Sequence, residues 1–213
     1  MSGTSWLDPP EAARAFQVVI TDLISESDRG ATLIAADMVS NHLDMMFERR
    51  APEFLKSRVR DMIAYPGVAA TLSAKADIAA LNGWIGETPY RSIGHLRRIR
   101  NKAAHSDRTF SLKDEKDRLR EMLNLGENVP AAVHNMALEI LIFNLFERLR
   151  LTGENLVQQL GENPFGSFEK IVEELQKRPD WSSPLEERLP RLKLGLGVCL
   201  TISLMELTEK TVT

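Results

Sequence analysis

The sequence predicts an all-α protein, a helical bundle built from a chain of 213 residues. Three observations support this prediction. Apolar residues recur at spacings of three and four in nearly every segment, which is the period of a helix that is buried on one side. No segment alternates apolar and polar residues as a half-buried strand does. Prolines, glycines and capping residues divide the chain into pieces of helical length.

The first two helices are marked by their caps. Asp8-Pro9 begins the first helix, because an aspartate caps a helix and a proline fits its first turn. Ser27 or Asp28 caps the second helix, and Pro52 ends it.

Two further helices carry the residues of most interest. In the first of them, Ala74, Ile78 and Leu81 share one side, which we expect to be buried. Thr88-Pro89 begins the next helix. Its predicted buried side is formed by Ile93, Leu96, Ile99 and Ala103.

The second half of the chain is also helical in its pattern. A charged segment over about residues 111–125 precedes the most apolar helix, which Pro130 begins. A short amphipathic helix covers about residues 168–177, and a last helix covers about residues 189–209.

The length and composition fit one domain. We expect residues 1–213 to form a single all-helical domain with a core of about residues 9–120 plus the final helix. Residues 120–185 are expected to add an extra helical region. The apolar content of 43% is sufficient for a core of this size.

Charge and cysteine content restrict the class of protein. The formal net charge of −3 provides no global positive field, so nucleic-acid binding would need a local basic patch. The single cysteine, Cys199, cannot form an internal disulfide and fits a reducing cytosol. The N-terminus shows no secretion signal, and the longest apolar stretch, Leu194 to Met205, is too short to span a bilayer. We expect a soluble, cytoplasmic protein with no membrane contact.

A local basic patch is present on the helix that Thr88-Pro89 begins. Residues 91–108 contain six lysines and arginines and one aspartate. The candidate nucleic-acid-binding residues recur at spacings of four, three and four along one side of this helix: Arg91, His95, Arg98 and Lys102. Such a stripe is typical either of a face that binds phosphates or of an ordinary solvated helix face.

Arg100, Asn101 and His105 are the candidate catalytic residues on the same helix. Histidine transfers protons near neutral pH, and arginine binds a phosphate through several donors, so the pair can support RNA cleavage without a metal. Asn101 would position the phosphate. On an unbroken helix, Arg100 and His105 lie about 140° apart. They converge only if the helix ends before His105 or if a second copy completes the site.

An ion pair is the structural alternative for Arg100. This residue lies at the edge of the buried side of its helix, where a guanidinium needs an acceptor. Asp77 shares a stripe with Ala74 and Ile78 and is expected to point inward. An Asp77–Arg100 ion pair that joins two helices is therefore the alternative to catalysis.

Other chemistry has little support. The four histidines show no spacing typical of a metal site, and the single cysteine provides no further ligand pair. No glycine-rich phosphate loop and no nucleophile elbow are visible. We expect no metal and no cofactor. Direct sequence-specific DNA binding is also not expected, because no helix-turn-helix pattern is visible.

Several segments, in the same order along the chain, resemble the mannitol operon repressor family. They are residues 27–31, residues 72–79, Gly83-Trp84-Ile85, residues 96–106 and Thr109-Phe110. The similarity covers roughly residues 10–120, and the final helix from Arg191 matches the closing helix of the family. The segment from Arg100 to His105 in turn resembles the HEPN superfamily of helical domains, many of which are metal-independent ribonucleases that act as dimers.

The resemblance implies a helical fold and a regulatory role. Members of the repressor family regulate sugar-uptake operons without an evident DNA-binding motif. We therefore expect a cytoplasmic regulatory protein that acts in transcriptional regulation by binding a macromolecular partner, either a protein or RNA. The apolar final helices and the dimers of the resembled families predict a homodimer. The alternative is a metal-independent endoribonuclease of the HEPN type, acting as a toxin or defence effector, with Arg100, Asn101 and His105 as its site.

Overall fold

The computed structural model describes residues 10–106, 109–177 and 183–211, and these residues form helices and connecting turns without a strand. The predicted all-α class is confirmed. Asp8-Pro9 lies outside the described residues. The α-helices of the described part are α1 (Pro10–Thr21), α2 (Asp28–Arg50), α3 (Lys56–Ile63), α4 (Leu72–Leu81), α5 (Glu87–His105), α6 (Lys116–Met122), α7 (Val129–Leu160), α8 (Phe168–Lys177) and α9 (Ser183–Thr211). Short 3₁₀ turns cover Leu23–Ser25, Glu53–Leu55 and Leu112–Glu115.

The start of α2 connects several parts of the fold. Ser27 is the N-cap residue, as predicted, and its Oγ accepts a hydrogen bond from the N–H of Gly30 at 3.0 Å. Asp28 accepts hydrogen bonds on both carboxylate oxygens, from Nε of Arg191 at 2.6 Å and from the N–H of Leu112 at 2.8 Å. The start of α2 therefore attaches this helix to α9 and to the turn before α6.

The described residues form two compact units. The first includes the chain up to Val133 and from Arg191 onward, and the second is His134–Pro190. The first unit extends beyond residue 120, because α6 packs against α5 and buries Leu119 and Met122. The unit boundaries fall within α7 and α9.

Helix α9 is the core helix of the first unit. Every residue from Leu194 to Cys199 is buried, so this part of the helix is covered on all sides. Thr201 Oγ1 lies 2.8 Å from Ser92 Oγ on α5. A Cβ at Gly195 would lie 2.5 Å from Cγ1 of Val19, so only glycine permits this approach of α1. The apolar side chains in this segment therefore pack inside the unit and provide no surface for a partner.

The buried side of α5 agrees with the sequence prediction, and the buried side of α4 does not. On α5 the buried apolar residues include all four that the sequence predicts: Ile93, Leu96, Ile99 and Ala103. On α4 the prediction is wrong, because Leu81 is 87% exposed. The buried residues of α4 are instead Lys75, Ala76 and Ala79. Alanines occur all around α4, so its apolar pattern does not distinguish one side from another.

The second unit has a small core of its own. Ala137, Leu141, Phe165 and Ile171 are buried. The side chain of Asn163 closes the turn after α7, since it donates to the carbonyl of Arg150 at 3.1 Å and accepts from the N–H of Phe165 at 2.8 Å.

Helix α7 is both long and apolar. Its segment Val129–Asn155 is, within the described ranges, the one helix that has the length and composition needed to cross a membrane, and 17% of its most apolar window is buried. The sequence prediction considered only uninterrupted apolar residues and therefore overlooked this segment. The core helix of a soluble protein also meets this criterion, so membrane insertion does not follow from it.

Candidate functional site

Two of the four predicted nucleic-acid-binding residues are engaged in ion pairs. Nη2 of Arg91 lies 2.5 Å from Oε1 of Glu87, and Nζ of Lys102 pairs with the buried carboxylate of Glu115. Arg118 contacts the other oxygen of Glu115. Burial raises the pKa of Glu115, but the hydrogen bonds from Lys102 and Arg118 outweigh it, and the pKa lies below its ordinary value. Lys102 therefore joins α5 to the 3₁₀ turn Leu112–Glu115, which precedes α6.

The other two, His95 and Arg98, add little to a cationic face. His95 is half-buried, and its Nδ1 is buried without a hydrogen-bond partner among the residues that the structure describes. Burial, and then the charge of Arg98, lower the pKa of His95 below its ordinary value, so the imidazole is neutral at pH 7. Arg98 is exposed and forms no ion pair within the described residues. The predicted stripe is thus reduced to one unpaired cation.

Arg100 and His105 do not converge within one chain. Helix α5 is unbroken through His105, and the N–H of Ser106 still bonds to the carbonyl of Lys102 at 3.0 Å. His105 is exposed at the end of the helix, whereas Arg100 is half-buried. The helix does not end before His105, so of the two routes to a composite site only a second copy remains.

The predicted Asp77–Arg100 ion pair is not formed. Asp77 is exposed, because α4 turns its Lys75 side toward the core. Its Oδ1 accepts a hydrogen bond from the hydroxyl of Tyr90 at 2.8 Å, and its Oδ2 accepts one from Ser73 at 3.5 Å. The hydrogen bond to Asp77 raises the pKa of Tyr90 above its ordinary value. Asp77 therefore joins α4 to α5 through Tyr90.

Arg100 lines a groove between α2, α4 and α5 with a volume of about 520 Å³. Helix α5 contributes Arg97, Arg98, Arg100 and Asn101 to the lining. The polar residues from the other two helices and the residue before α4 are Asp37, Ser40, Thr71 and Ser73. We call this site the arginine groove.

The arginine groove is positively charged. Arg97 donates a hydrogen bond to Oγ of Ser73, but neither it nor Arg98 nor Arg100 is in an ion pair with a described residue. Elsewhere in the first unit ion pairs are frequent, as between Arg50 and Glu209. The lining has three guanidinium groups and one carboxylate, so the groove can hold an anion.

A buried lysine beside the groove was missed by the sequence prediction. The side chain of Lys75 is 5% exposed, and its Nζ lies 2.6 and 2.7 Å from the two carboxylate oxygens of Asp44. Nζ also donates to Oγ of Ser40 at 2.9 Å, and Ser40 lines the groove. Sequence spacing provides no signal for this contact, since the partners lie about thirty positions apart.

A second candidate surface lies on α7. Five large apolar side chains in the described part of α7 are 38–64% exposed. Leu151 lies on the side opposite Ile142 and Leu160, and the other four fall within about 100° of one another around the helix: Ile142, Phe143, Val157 and Leu160. At 1.5 Å per residue they extend along about 27 Å of the helix. We call this surface the α7 apolar face. Exposed apolar side chains that share one side of a helix can mark an interaction site. The ion pairs of Arg150 with Glu147 and Glu154 lie between the two ends of this face.

Metal and thiol chemistry have no evident centre in this structure. Within the described ranges, no group of three or more His, Cys, Asp and Glu side chains is arranged to hold a metal ion. Burial raises the pKa of the Cys199 thiol to about 12, so the thiolate is scarce at neutral pH.

Comparison with protein-family models, with curated proteins and with solved structures finds no match to this chain. The resemblance to the mannitol operon repressor family and to the HEPN superfamily therefore stays a prediction.

Proposed function

We propose that this chain is a cytoplasmic regulatory protein of the mannitol-repressor-like type, which acts in transcriptional regulation by binding a macromolecular partner. The observation that carries the proposal is the α7 apolar face, where Phe143 and Leu160 are 64% and 58% exposed. Removing apolar surface from water contributes about 25 cal/mol per Å², so covering this face favours association. The proposal assigns α7 the role of the association surface.

A homodimer is part of the proposal. A two-fold axis brings the same surface of two copies together, so one apolar helix face can cover its own equivalent. The apolar run of α9 from Leu194 to Cys199 is already buried in the first unit, and we assign the contact to α7, which has more exposed apolar side chains. The proposed dimer pairs two α7 apolar faces, and the macromolecular partner binds the dimer that this contact forms.

The arrangement of α5 favours a binding protein over a ribonuclease. A general acid or base must lie within hydrogen-bond reach of the group that it protonates or deprotonates, and His105 points away from the groove that contains Arg100. A ribonuclease of this chain would need His105 of one copy to reach Arg100 of another.

Affinity capture from the native cell tests the proposal. Tagged wild-type chain should recover a specific protein or nucleic acid, and Phe143→Asp should recover much less, because a carboxylate cannot be buried cheaply in an apolar contact. Leu81→Asp is the matched control, since Leu81 is 87% exposed on α4 and is not part of the α7 apolar face. It should recover the same partner as the wild type.

Capture of nothing by the wild type, or equal capture by Phe143→Asp, would contradict the proposed role of α7.

Cell fractionation tests the predicted cytoplasmic location. The chain should remain in the soluble fraction without detergent, and recovery only from detergent-solubilised membranes would show that α7 inserts into a bilayer instead.

A further inference from the structure

We propose that the arginine groove is a binding site for a small organic phosphate, specifically a phosphate monoester that also carries hydroxyl groups. The site lies on α2, α4 and α5 and does not involve the α7 apolar face. It therefore adds an effector site to a chain whose proposed function rests on a different surface.

The unpaired guanidinium groups of Arg97 and Arg100 favour the binding of an anion in the groove. Arg97 and Arg100 are half-buried, and a guanidinium removed from water without an opposite charge is unfavourable. Neither residue forms an ion pair with a described residue, in a chain whose net charge is −3. A phosphate offers oxygens to the planar donors of several arginines at once.

The rest of the lining indicates what accompanies the phosphate. Ser40 Oγ accepts a hydrogen bond from the buried Lys75, so its own hydroxyl hydrogen is available to a ligand. Asp37 accepts hydrogen bonds from hydroxyl groups but repels a second phosphate. The combination favours a hydroxylated monoester over a polyphosphate.

Size and surroundings favour a small molecule over a nucleic acid. The volume of about 520 Å³ is within the range of small-molecule pockets. Along α5, Arg91 and Lys102 each form an ion pair, with Glu87 and Glu115 respectively, so the row of unpaired guanidinium groups does not continue along the helix. A nucleic-acid backbone needs a longer positive track than this.

Isothermal titration calorimetry on the full chain tests the site with ribose 5-phosphate as the probe and ribose as the unphosphorylated control. Ribose 5-phosphate should bind and ribose should not. Arg100→Gln should weaken binding by about tenfold or more, because it removes a charge-assisted contact. Arg58→Gln is the matched control: Arg58 is an exposed arginine on α3 outside the groove, and its replacement should change nothing.

The variant Asp37→Asn tests separately whether the groove binds a phosphate and whether it prefers one that carries hydroxyl groups. It should strengthen the binding of inorganic phosphate and reduce the preference for ribose 5-phosphate, since the like charge is removed and the carboxylate acceptor is replaced by a neutral amide oxygen, which accepts a weaker hydrogen bond from a hydroxyl group. No binding of ribose 5-phosphate, or binding that Arg100→Gln leaves unchanged, would overturn the proposal. It would also be overturned if a five-nucleotide RNA binds through Arg100 while ribose 5-phosphate does not, because the phosphate would then belong to a nucleic acid.

Discussion

At the scale of single residues, the buried charge of Lys75 fixes how α4 sits on the fold. The ammonium group contacts Asp44 and Ser40 of α2, and this holds the Lys75 side of α4 inward. Asp77 is consequently exposed and bonds to Tyr90, and Leu81 is exposed as well. One polar contact thus overrides the weak apolar pattern of an alanine-rich helix.

Asp44→Ala should strongly destabilise the first unit. It leaves the Lys75 ammonium buried without its counter-charge, which costs about 3–5 kcal/mol of unfolding free energy. Chemical denaturation measures the change. Adding Lys75→Met in the same chain should recover much of the loss, because the buried charge is then gone. Glu53→Ala removes the exposed Lys56–Glu53 pair and is the control, with an expected change below about 1 kcal/mol. A cost for Asp44→Ala no larger than for Glu53→Ala would contradict this role of Lys75.

His95 should make the stability of the chain depend on pH below 6.5. Burial lowers its pKa from the ordinary 6.5, so the folded state binds a proton less readily than the unfolded state. The neutral imidazole therefore contributes stability that is full above pH 6.5 and is lost as the pH falls through the lowered pKa. Melting temperatures from pH 7.5 to 5 should fall less steeply for His95→Gln than for wild type. The exposed His105→Gln serves as control, and identical slopes for His95→Gln and wild type would refute the assignment.

At the scale of elements, the strength of the apolar pattern decides what the sequence reveals. Helix α5 has large apolar residues at Leu96 and Ile99 against charged neighbours, and its buried side is predictable. Helix α9 is recognisable as a helix from its sequence. Its central position depends on how closely α1 approaches Gly195, and this contact with Val19 is not encoded in any local pattern.

The unbroken α5 predicts that the single chain is not a ribonuclease. Purified protein diluted until it is monomeric should not cleave RNA in EDTA, because Arg100 and His105 of one chain lie about 140° apart around the helix. His105→Ala should leave the melting temperature nearly unchanged, since the side chain is exposed. A fluorogenic RNA assay measures cleavage. Activity that resists EDTA, is lost in His105→Ala and is retained in the control His134→Ala would contradict this prediction and support the ribonuclease alternative.

At the scale of the whole molecule, the candidate site depends on contacts between distant parts of the sequence. The arginines of α5 are visible as a basic cluster, and Arg100 is recognisable as unusual. The sequence does not show which residues face these arginines, because Asp37 and Ser73 come from two other helices. Likewise, the partner of Lys102 is Glu115, which follows it by 13 positions and lies beyond the end of α5. Sequence spacing alone cannot show these long-range contacts.

The exposed apolar side chains of α7 predict that the chain acts by association. Sedimentation velocity of the purified protein tests this prediction, with wild type, Phe143→Asp and the control Leu81→Asp at micromolar concentration. We expect a mass of twice the 24.0 kDa chain for wild type and Leu81→Asp, and the mass of one chain for Phe143→Asp. A wild-type chain that sediments at 24.0 kDa, or a Phe143→Asp variant that remains dimeric, would contradict it.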